Sequence, residues 1–505
     1  MRLGNSELGT PQAEPSLLVD RTLHVEVEGR SLSRGKVVAA VLTEQGVSGS
    51  STSVPVPSSK RVMSAVNAVA QSVAAKVLII GINAVTGIIT ARALQPEGRG
   101  ELAAMIIWPV FLATVFSLGV PSALTFQLNR DPKKESQLMG AGLLLALFGG
   151  LIAAALGAVF LNAWIPQYSP RIILFARIFL LSAPLTSLLA AGRAGVESRG
   201  DFTTSNIVLI WSPAMTLLWL VVLLATHSMS AVGAALAYIV VGIVPLLWMM
   251  KRLTEIFHPR FTDLWQSGRQ LFSYGIRSYG IDLCGTMAFY VDQALVVRLL
   301  APKMMGTYVV ALSLSRILNA FHTSVIMVLF PKAVSRTREQ IAEMTSRAMR
   351  MSTMLTTFAG ICVISVGPQM LSLLYGKEYR GANAVLRILV VQIILAGATA
   401  VLSQSFMALG RPGIVTTLQV IGLLLTVPLM LVFIPRLGIV GAGLALLLST
   451  IARFLFILIS FPIFLKMRVP QLLPTLQDFK FLSGLVIKQV RRAAPTAFAT
   501  AGAGD

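Results

Sequence analysis

The sequence is poor in charge, in cysteine and in histidine. Only 12% of its 505 residues are charged, against roughly 25% in soluble domains, while 55% are hydrophobic. The two cysteines exclude a disulfide framework, and the four histidines are too scattered for any metal-ligand spacing. A Gly-rich phosphate loop and a nucleophile elbow are also absent. We therefore expect no cofactor and no bound metal.

Long apolar runs fill most of the chain after the first 60 residues. A helix needs about 20 mostly apolar residues to cross a bilayer, and charge-free runs of that size recur, as at 102–129, 137–170 and 388–410. The ten-residue alternation of a transmembrane β-barrel does not occur. The sequence thus predicts an all-α integral membrane protein with about 12 transmembrane helices. The predicted spans, numbered 1 to 12, are 67–91, 102–126, 137–161, 172–192, 205–226, 231–250, 275–298, 305–330, 351–375, 383–407, 412–435 and 438–465.

The net charge of +21 comes from Lys and Arg residues spread between the apolar runs. A nucleic-acid-binding protein would gather them on one soluble face, so we expect no nucleic-acid partner. Lys and Arg concentrate in alternate loops, which places both termini in the cytosol by the positive-inside rule. We interpret 1–62, rich in Ser and Pro, as a disordered cytosolic tail, and 466–505 as a basic cytosolic tail along the headgroups.

The second half of the chain repeats features of the first. ARALQPEGRG at 91–100 and VRLLAPKMMG at 297–306 match in Arg, Leu, Pro and Gly at an offset of 206, and VGAALA at 232–237 returns as VGAGLA at 440–445. Two further pairs keep this order: Pro121 and Pro331 at predicted helix ends, and Gly200 and Gly410 after predicted spans 4 and 10.

A repeat of six helices enters the membrane in the same sense as the first copy, because six is an even number. We therefore predict two parallel six-helix lobes around a central cavity, at 63–251 and 275–465, joined by a cytosolic linker at 252–274. Lobes of this kind can rock and expose the cavity to each side in turn. This is typical of a transporter.

Several motifs in order resemble those of the oligosaccharide-lipid flippases, which move O-antigen and other polysaccharide units, in the multidrug/oligosaccharidyl-lipid/polysaccharide exporter superfamily. The similar stretches are ARALQPEGRGELA (91–103), D-x-x-L at Asp292, LAPKMMGTY (300–308), LFPK (329–332), LLYGKEYRGANAVLRIL (373–389), MALGRP (407–412) and IPRLGIVGAGLA (434–445).

The resemblance implies a carrier of undecaprenyl-diphosphate-linked oligosaccharides across the bacterial cytoplasmic (inner) membrane, for polysaccharide biosynthesis by alternating access. It implies a cavity lined mainly by spans 1, 2, 7 and 8, and partners that include a polysaccharide polymerase and export proteins. A cation-coupled multidrug exporter is the alternative within the superfamily. A membrane-embedded glycan polymerase or ligase is a third hypothesis, although every predicted outer loop is short.

Five charged residues stand out in the interior of the predicted spans, where a charge costs about 2.5 to 3.5 kcal/mol and usually faces a protein interior or a wet cavity. We expect Lys76, Arg316 and Arg453 to bind the diphosphate of the substrate. Asp282 and Asp292 are candidates for counter-ions or for coupling to H⁺ or Na⁺. An ion pair between Asp292 and Arg316 that holds helices together is the alternative for those two residues. Residues near span ends, Arg277 among them, are explained by snorkelling alone.

Overall fold

The computed structural model describes residues 59–333 and 337–472, and every regular element in these ranges is helical. Most of the predicted tails lies outside these ranges, so their disorder and headgroup contacts stay predictions. The described helices confirm the prediction of an all-α membrane protein. They are α1 (Ser59–Val115), α2 (Val120–Arg130), α3 (Glu135–Trp164), α4 (Pro170–Phe179), α5 (Ser182–Ser198), α6 (Phe202–Ala225), α7 (Ala231–Phe257), α8 (Leu264–Leu299), α9 (Pro302–Arg316), α10 (Asn319–Ala333), α11 (Arg338–Met370), α12 (Asn383–Ala408) and α13 (Pro412–Ser460).

The two longest helices, α1 and α13, are each interrupted by one residue with non-helical backbone angles. Gln95 has φ 59° and ψ 174°, and Gly438 has φ 59° and ψ −137°. Pro96 follows Gln95, and a residue before proline avoids the right-handed helical region. Gly438 has no Cβ and tolerates positive φ. Each of these helices therefore consists of two arms.

The arms of α13 run antiparallel and touch along their length. Thr426 donates a hydrogen bond of 2.7 Å to Ser449, which itself donates to the Gly422 carbonyl oxygen at 2.8 Å. Nearer the interruption, a Cβ atom at Gly441 would lie 2.1 Å from the Phe433 carbonyl oxygen. Residue numbers rise along one arm as they fall along the other, so the two arms form a hairpin.

The number of membrane-crossing segments in the described residues fits the predicted 12. Eight helices are long and apolar enough to cross a membrane, and two bent helix pairs pass the same test when each pair is one span. Counting both arms of α1 and of α13 adds two more. The division into lobes at 63–251 and 275–465 stays a prediction.

Two stretches related by the sequence repeat, 96–100 and 302–306, contact each other reciprocally. A Cβ atom at Gly100 would lie 1.8 Å from the carbonyl oxygen of Pro302, and one at Gly306 would lie 1.9 Å from that of Pro96. Only glycine permits two backbones to approach so closely. Reciprocal contact is what an approximate two-fold axis between parallel repeats would produce, so it supports the predicted relation. We name these residues the glycine contact.

The repeat is also visible in how two helices end. Gly200 after α5 and Gly410 after α12 both have positive φ, at 77° and 69°. In each case the next residue donates its backbone N–H five residues back, Asp201 to Val196 and Arg411 to Phe406. This is the hydrogen-bond pattern of a Schellman cap, in which glycine accepts the left-handed conformation without strain.

Of the other predicted pair of helix ends, Pro121 is wrong, whereas Pro331 lies two residues before Ala333, the last residue of α10. Pro121 lies at the start of α2, after a break in the helix. Proline suits the first turn of a helix because its missing N–H has no partner there. Pro121 therefore marks the point where predicted span 2 becomes helical again, and this helix continues to Arg130.

Side chains near the glycine contact fasten the two halves of the chain together. The Tyr379 hydroxyl donates to the Ala91 carbonyl oxygen at 3.0 Å, and the Arg92 guanidinium donates to that of Leu374 at 2.8 Å. Tyr379 and Tyr308 are fully buried in a hydrophobic core that includes residues of both halves. This end of the interface is therefore densely packed.

Candidate functional site

Three adjoining cavities follow predicted span 2 where it packs against α8. We name them the deep, middle and basic cavities, with volumes of about 590, 680 and 520 Å³. Ser122 lines both the deep and the middle cavity, and Arg130 lines both the middle and the basic cavity. They therefore form one groove. The residues that line the deep cavity are Thr114, Ser117, Gly119, Pro121, Ser122, Tyr279, Gly285, Thr286, Phe289 and Tyr290. Those that line the middle cavity are Ser122, Thr125, Phe126, Asn129 and Arg130. Those that line the basic cavity are Gln127, Arg130, Asp131, Gln270, Ser273, Tyr274 and Arg277.

The deep cavity lies at the break between α1 and α2. Leu118 and Gly119 have positive φ, at 48° and 70°, so the helical hydrogen bonds are interrupted here. The Tyr279 hydroxyl of α8 donates to the carbonyl oxygens of Thr114, at 2.9 Å, and Val115. A break that exposes backbone oxygens needs such a donor inside a membrane, where water is scarce. The deep cavity thus gains a polar wall from the backbone as well as from hydroxyl side chains.

Helix α8 is able to approach this break because glycine faces glycine. A Cβ atom at Gly119 would lie 2.5 Å from the Gly275 carbonyl oxygen, and one at Gly275 would lie 2.6 Å from that of Leu118. Further along the groove, the Gln270 amide donates to the Gln127 amide oxygen at 2.9 Å. Predicted span 2 and α8 therefore pack side by side along the whole groove.

Asp292 and Arg316, two of the predicted site residues, lie together beside the deep cavity. Arg316 Nη2 is 3.8 Å from Asp292 Oδ2, and the Tyr308 hydroxyl donates to the same oxygen at 2.9 Å. Asp292 is 2% exposed, and its other oxygen, Oδ1, has no hydrogen-bond partner among the described residues. The ion pair that was the alternative for these two residues is thus present, with Tyr308 as an additional partner of the carboxylate.

Arg316 also connects this pair to the cavity wall. Its guanidinium stacks over the Phe289 ring at 4.1 Å from the centroid, and Nη2 donates to the Phe289 carbonyl oxygen at 3.2 Å. Phe289 is a lining residue of the deep cavity. The Arg316 side chain remains 25% exposed, whereas its carboxylate partner Asp292 is buried. The arginine is therefore the member of the pair that a ligand is able to reach.

Two predicted site residues lie apart from this pair. Lys76 in the first arm of α1 is exposed, makes no ion pair with a described residue and lines none of the three cavities. The backbone of Asp282 belongs to α8, but its side chain lies outside the described residues. Their proposed roles stay predictions.

Arg453 packs inside the α13 hairpin. Its side chain lies directly over Gly422, and Nη2 donates to Thr450 Oγ1 at 3.1 Å, which also accepts a 3.0 Å hydrogen bond from Gln392 of α12. Nε is buried without a partner among the described residues. The arginine thus joins α12 and α13 in a polar cluster and is not among the lining residues of the three cavities, and its role in binding the diphosphate stays a prediction.

Sequence reasoning missed three features of this site. The Tyr308 residue was visible in LAPKMMGTY, but its bond to Asp292 depends on how α9 folds back on α8. The break at Leu118 was masked by the apolar character of 102–129. The position of Arg277 in the basic cavity follows from the packing of α8 against predicted span 2, which no local pattern reveals.

Residues 66–337 match the family described as "Polysaccharide biosynthesis protein". This match includes the deep cavity, Asp292 and Arg316. Among curated proteins, the chain is 27% identical over 234 residues to the probable low-salt glycan biosynthesis flippase Agl15 of Haloferax volcanii, covering 45% of this chain and 48% of that protein. It is 26% identical over 309 residues to the succinoglycan biosynthesis transport protein ExoT of Rhizobium meliloti, covering 57% and 56%. The chain thus spans about half the length of these two relatives.

The architecture is similar to that of a solved transporter. The structure described as lipid II flippase MurJ in an inward closed conformation superposes with a TM-score of 0.68 and covers 85% of this chain and 93% of its own. The two sequences are 16% identical over this match. At that identity the likeness shows a shared fold.

Proposed function

Because this chain belongs to the polysaccharide biosynthesis protein family, within the multidrug/oligosaccharidyl-lipid/polysaccharide exporter superfamily, we propose that it is a transporter that flips a lipid-linked glycan across the membrane. The substrate is an undecaprenyl-diphosphate-linked oligosaccharide that moves from the cytosolic to the outer leaflet of the bacterial inner membrane. Both termini face the cytosol. The cycle moves the substrate without making or breaking a bond.

The observation that carries this proposal is the partly exposed arginine beside a cavity between the two halves whose lining includes several hydroxyl side chains. A diphosphate resists transfer into a low-dielectric interior unless cations and hydrogen-bond donors replace its water. Arg316 supplies a planar fork of donors, which suits phosphate oxygens. The hydroxyl groups of Thr114, Ser117 and Thr286 line the same cavity and suit the hydroxyls of a sugar. The polyprenyl chain stays in lipid.

The ion pair supports a mechanism in which Arg316 exchanges partners. The guanidinium lies near Asp292, so neither charge is left unpaired in the membrane. When the diphosphate arrives, Arg316 turns toward it and Asp292 is left buried beside Tyr308. A proton or Na⁺ would then offset the uncompensated carboxylate. Asp292 is in this way the coupling site, and Asp282 is a second candidate on the same helix.

The lobes rock to complete the cycle. The predicted topology places the glycine contact at the outer end and the basic cavity at the cytosolic end of the interface. Release outward requires the backbones at Gly100 and Gly306 to separate. A polysaccharide polymerase and export proteins then receive the glycan.

The alternatives receive less support from the site. A cation-coupled multidrug exporter needs a membrane carboxylate for its cation, and the six predicted spans of the first half contain no Asp or Glu. A glycan polymerase or ligase would present catalytic groups on a large outer loop. The predicted outer loop at 227–230 and the turn around Gln95 are only a few residues long.

The proposal is tested by replacing Lys76 and Arg316 with Ala, singly and together, in a cell that depends on this protein. We expect Arg316→Ala and the double variant to lose surface polysaccharide and to accumulate the lipid-linked precursor. Arg269→Ala serves as the control, because Arg269 is an exposed arginine of α8 that lines none of the three cavities. Normal surface polysaccharide from a double variant that inserts normally would refute the cationic cavity. New sensitivity to cationic dyes would favour drug export instead.

A further inference from the structure

We propose that the basic cavity is a loading site, in which Arg130 and Arg277 capture the diphosphate of the lipid-linked sugar before it moves to Arg316. This inference rests on the proposed function. It assigns a binding role to Arg277, which snorkelling alone would otherwise explain, and to Arg130.

The two arginines are suited to this role because each is available to a ligand. Arg130 ends α2 and Arg277 lies in α8, so the groove brings one cation from each half of the chain to one cavity. Both side chains are exposed, and neither forms an ion pair with a carboxylate of the described chain. Asp131 lines the same cavity, but it too makes no ion pair in the described residues. Two arginine forks facing one cavity match the several oxygens of a diphosphate.

An aromatic wall next to the arginines suits the sugar. The rings of Phe126 and Tyr274 stack at 4.2 Å between centroids and 10° between planes, and the Arg130 guanidinium lies 5.9 Å from the Phe126 centroid. Phe126 lines the middle cavity and Tyr274 the basic one. An aromatic ring presents apolar area and, in tyrosine, a polar tip. A sugar ring, which also has apolar and polar faces, is thus able to rest beside a bound diphosphate.

The base of the cavity is held together by paired residues of the two halves. Gln127 is 5% exposed and accepts the hydrogen bond from Gln270. The aromatic and amide pairs each join predicted span 2 to α8. The cavity therefore exists only while these helices are packed together at this end. A substrate bound to both arginines would stabilise that packing.

The position of the basic cavity at one end of the groove indicates at which step of the proposed transport cycle it acts. Span 2 ends at Arg130, next to a loop that the topology places in the cytosol. There the diphosphate keeps much of its water, so its capture costs little desolvation. Ser122 and Arg130, each shared between neighbouring cavities, place the basic, middle and deep cavities next to one another in this order. Arg130 and Arg277 should therefore govern capture, and Arg316 translocation.

Anionic phospholipid headgroups carry the same phosphate chemistry, so the test must separate the two sources. The full-length protein is placed in nanodiscs of phosphatidylcholine alone or with phosphatidylglycerol. Binding of a short-chain polyprenyl diphosphate that carries one hexose is then measured. The variants are Arg130→Gln with Arg277→Gln, Arg316→Gln, and Arg269→Gln as a control arginine of α8 that lines none of the three cavities.

We expect the Arg130/Arg277 double variant to bind the probe at least about tenfold more weakly in both kinds of nanodisc. Arg269→Gln should change affinity less than about twofold. If the double variant matches the wild type in phosphatidylcholine, or differs only when phosphatidylglycerol is present, the arginines bind bulk lipid and the loading site is wrong. A wild-type protein that binds the probe in no nanodisc would instead count against the proposed function itself. Because both side chains are exposed, melting temperatures should stay equal to that of the wild type.

Discussion

The two halves of the chain meet through backbone at one end of their interface and through side chains along the rest. At the glycine contact, Gly100 and Gly306 each lie against the carbonyl oxygen of a proline of the other half, and no side chain intervenes. Along the groove, Gln127 and Gln270 share a hydrogen bond, and Phe126 stacks on Tyr274. The first region leaves no space for a ligand, whereas the second borders three cavities.

In the proposed transport cycle, this difference separates the region through which the substrate passes from the region that closes. Backbones in direct contact exclude water and form a seal with one well-defined geometry. Polar side chains around cavities are able to exchange their partners for those of a ligand. The repeat supplied both halves with the same Pro and Gly residues, so the seal is symmetric. The predicted spans of the two halves differ in charge, because only those of the second half contain Asp or Glu.

The largest effect is expected from a substitution that disrupts the glycine contact. Gly306→Val places side-chain atoms where a Cβ alone would lie 1.9 Å from the Pro96 carbonyl oxygen. We expect the variant to lose more than about 3 kcal/mol of stability, seen as a lower melting temperature in detergent, and to lose transport. Gly87→Ala is the control, since a Cβ there meets nothing within 4 Å. Should Gly306→Val melt and transport like wild type, the backbone contact would not exist in the membrane.

A smaller effect is expected from dividing the ion pair beside the groove. Asp292→Asn leaves Arg316 without its carboxylate, and we expect a loss of about 1 to 3 kcal/mol, because the guanidinium is partly exposed and partly solvated. The double variant Asp292→Asn with Arg316→Met should recover much of that stability but no transport. A double variant that melts no higher than Asp292→Asn would show that the two residues are not coupled.

The sequence predicted this pair because charges inside apolar runs are rare, and because the spacing of predicted spans 7 and 8 allowed them to meet. The 12 spans and the repeat were likewise accessible from hydropathy and from the Pro and Gly spacing. The position of Arg453 could not be predicted from the sequence, because the α13 hairpin buries the side chain against Gly422 through tertiary packing. The cavities were also hidden, since they depend on a helix break at Leu118 inside an unbroken apolar run.

The smallest expected effect concerns the helix break itself. Tyr279→Phe removes the donor to the carbonyl oxygens of Thr114 and Val115. We expect the variant to lose about 1 kcal/mol of stability and to transport several-fold more slowly, because these carbonyl oxygens in the wall of the deep cavity lose their hydrogen-bond donor. Tyr308→Phe, which removes one donor to Asp292, serves as the comparison. If Tyr279→Phe transports at the wild-type rate, the break does not shape the path.

The central claim is that the groove carries the diphosphate head of a lipid-linked glycan through the membrane and that Arg316 assists it. The most direct measurement uses the purified protein in liposomes that contain a polyprenyl-diphosphate-linked oligosaccharide, with an impermeant lectin reporting how fast the glycan changes leaflet. The account predicts fast exchange with the wild type and with the control Arg269→Ala, and exchange near that of empty liposomes with Arg316→Ala. Exchange by the wild type no faster than in empty liposomes, or equal rates for wild type and Arg316→Ala, would contradict it.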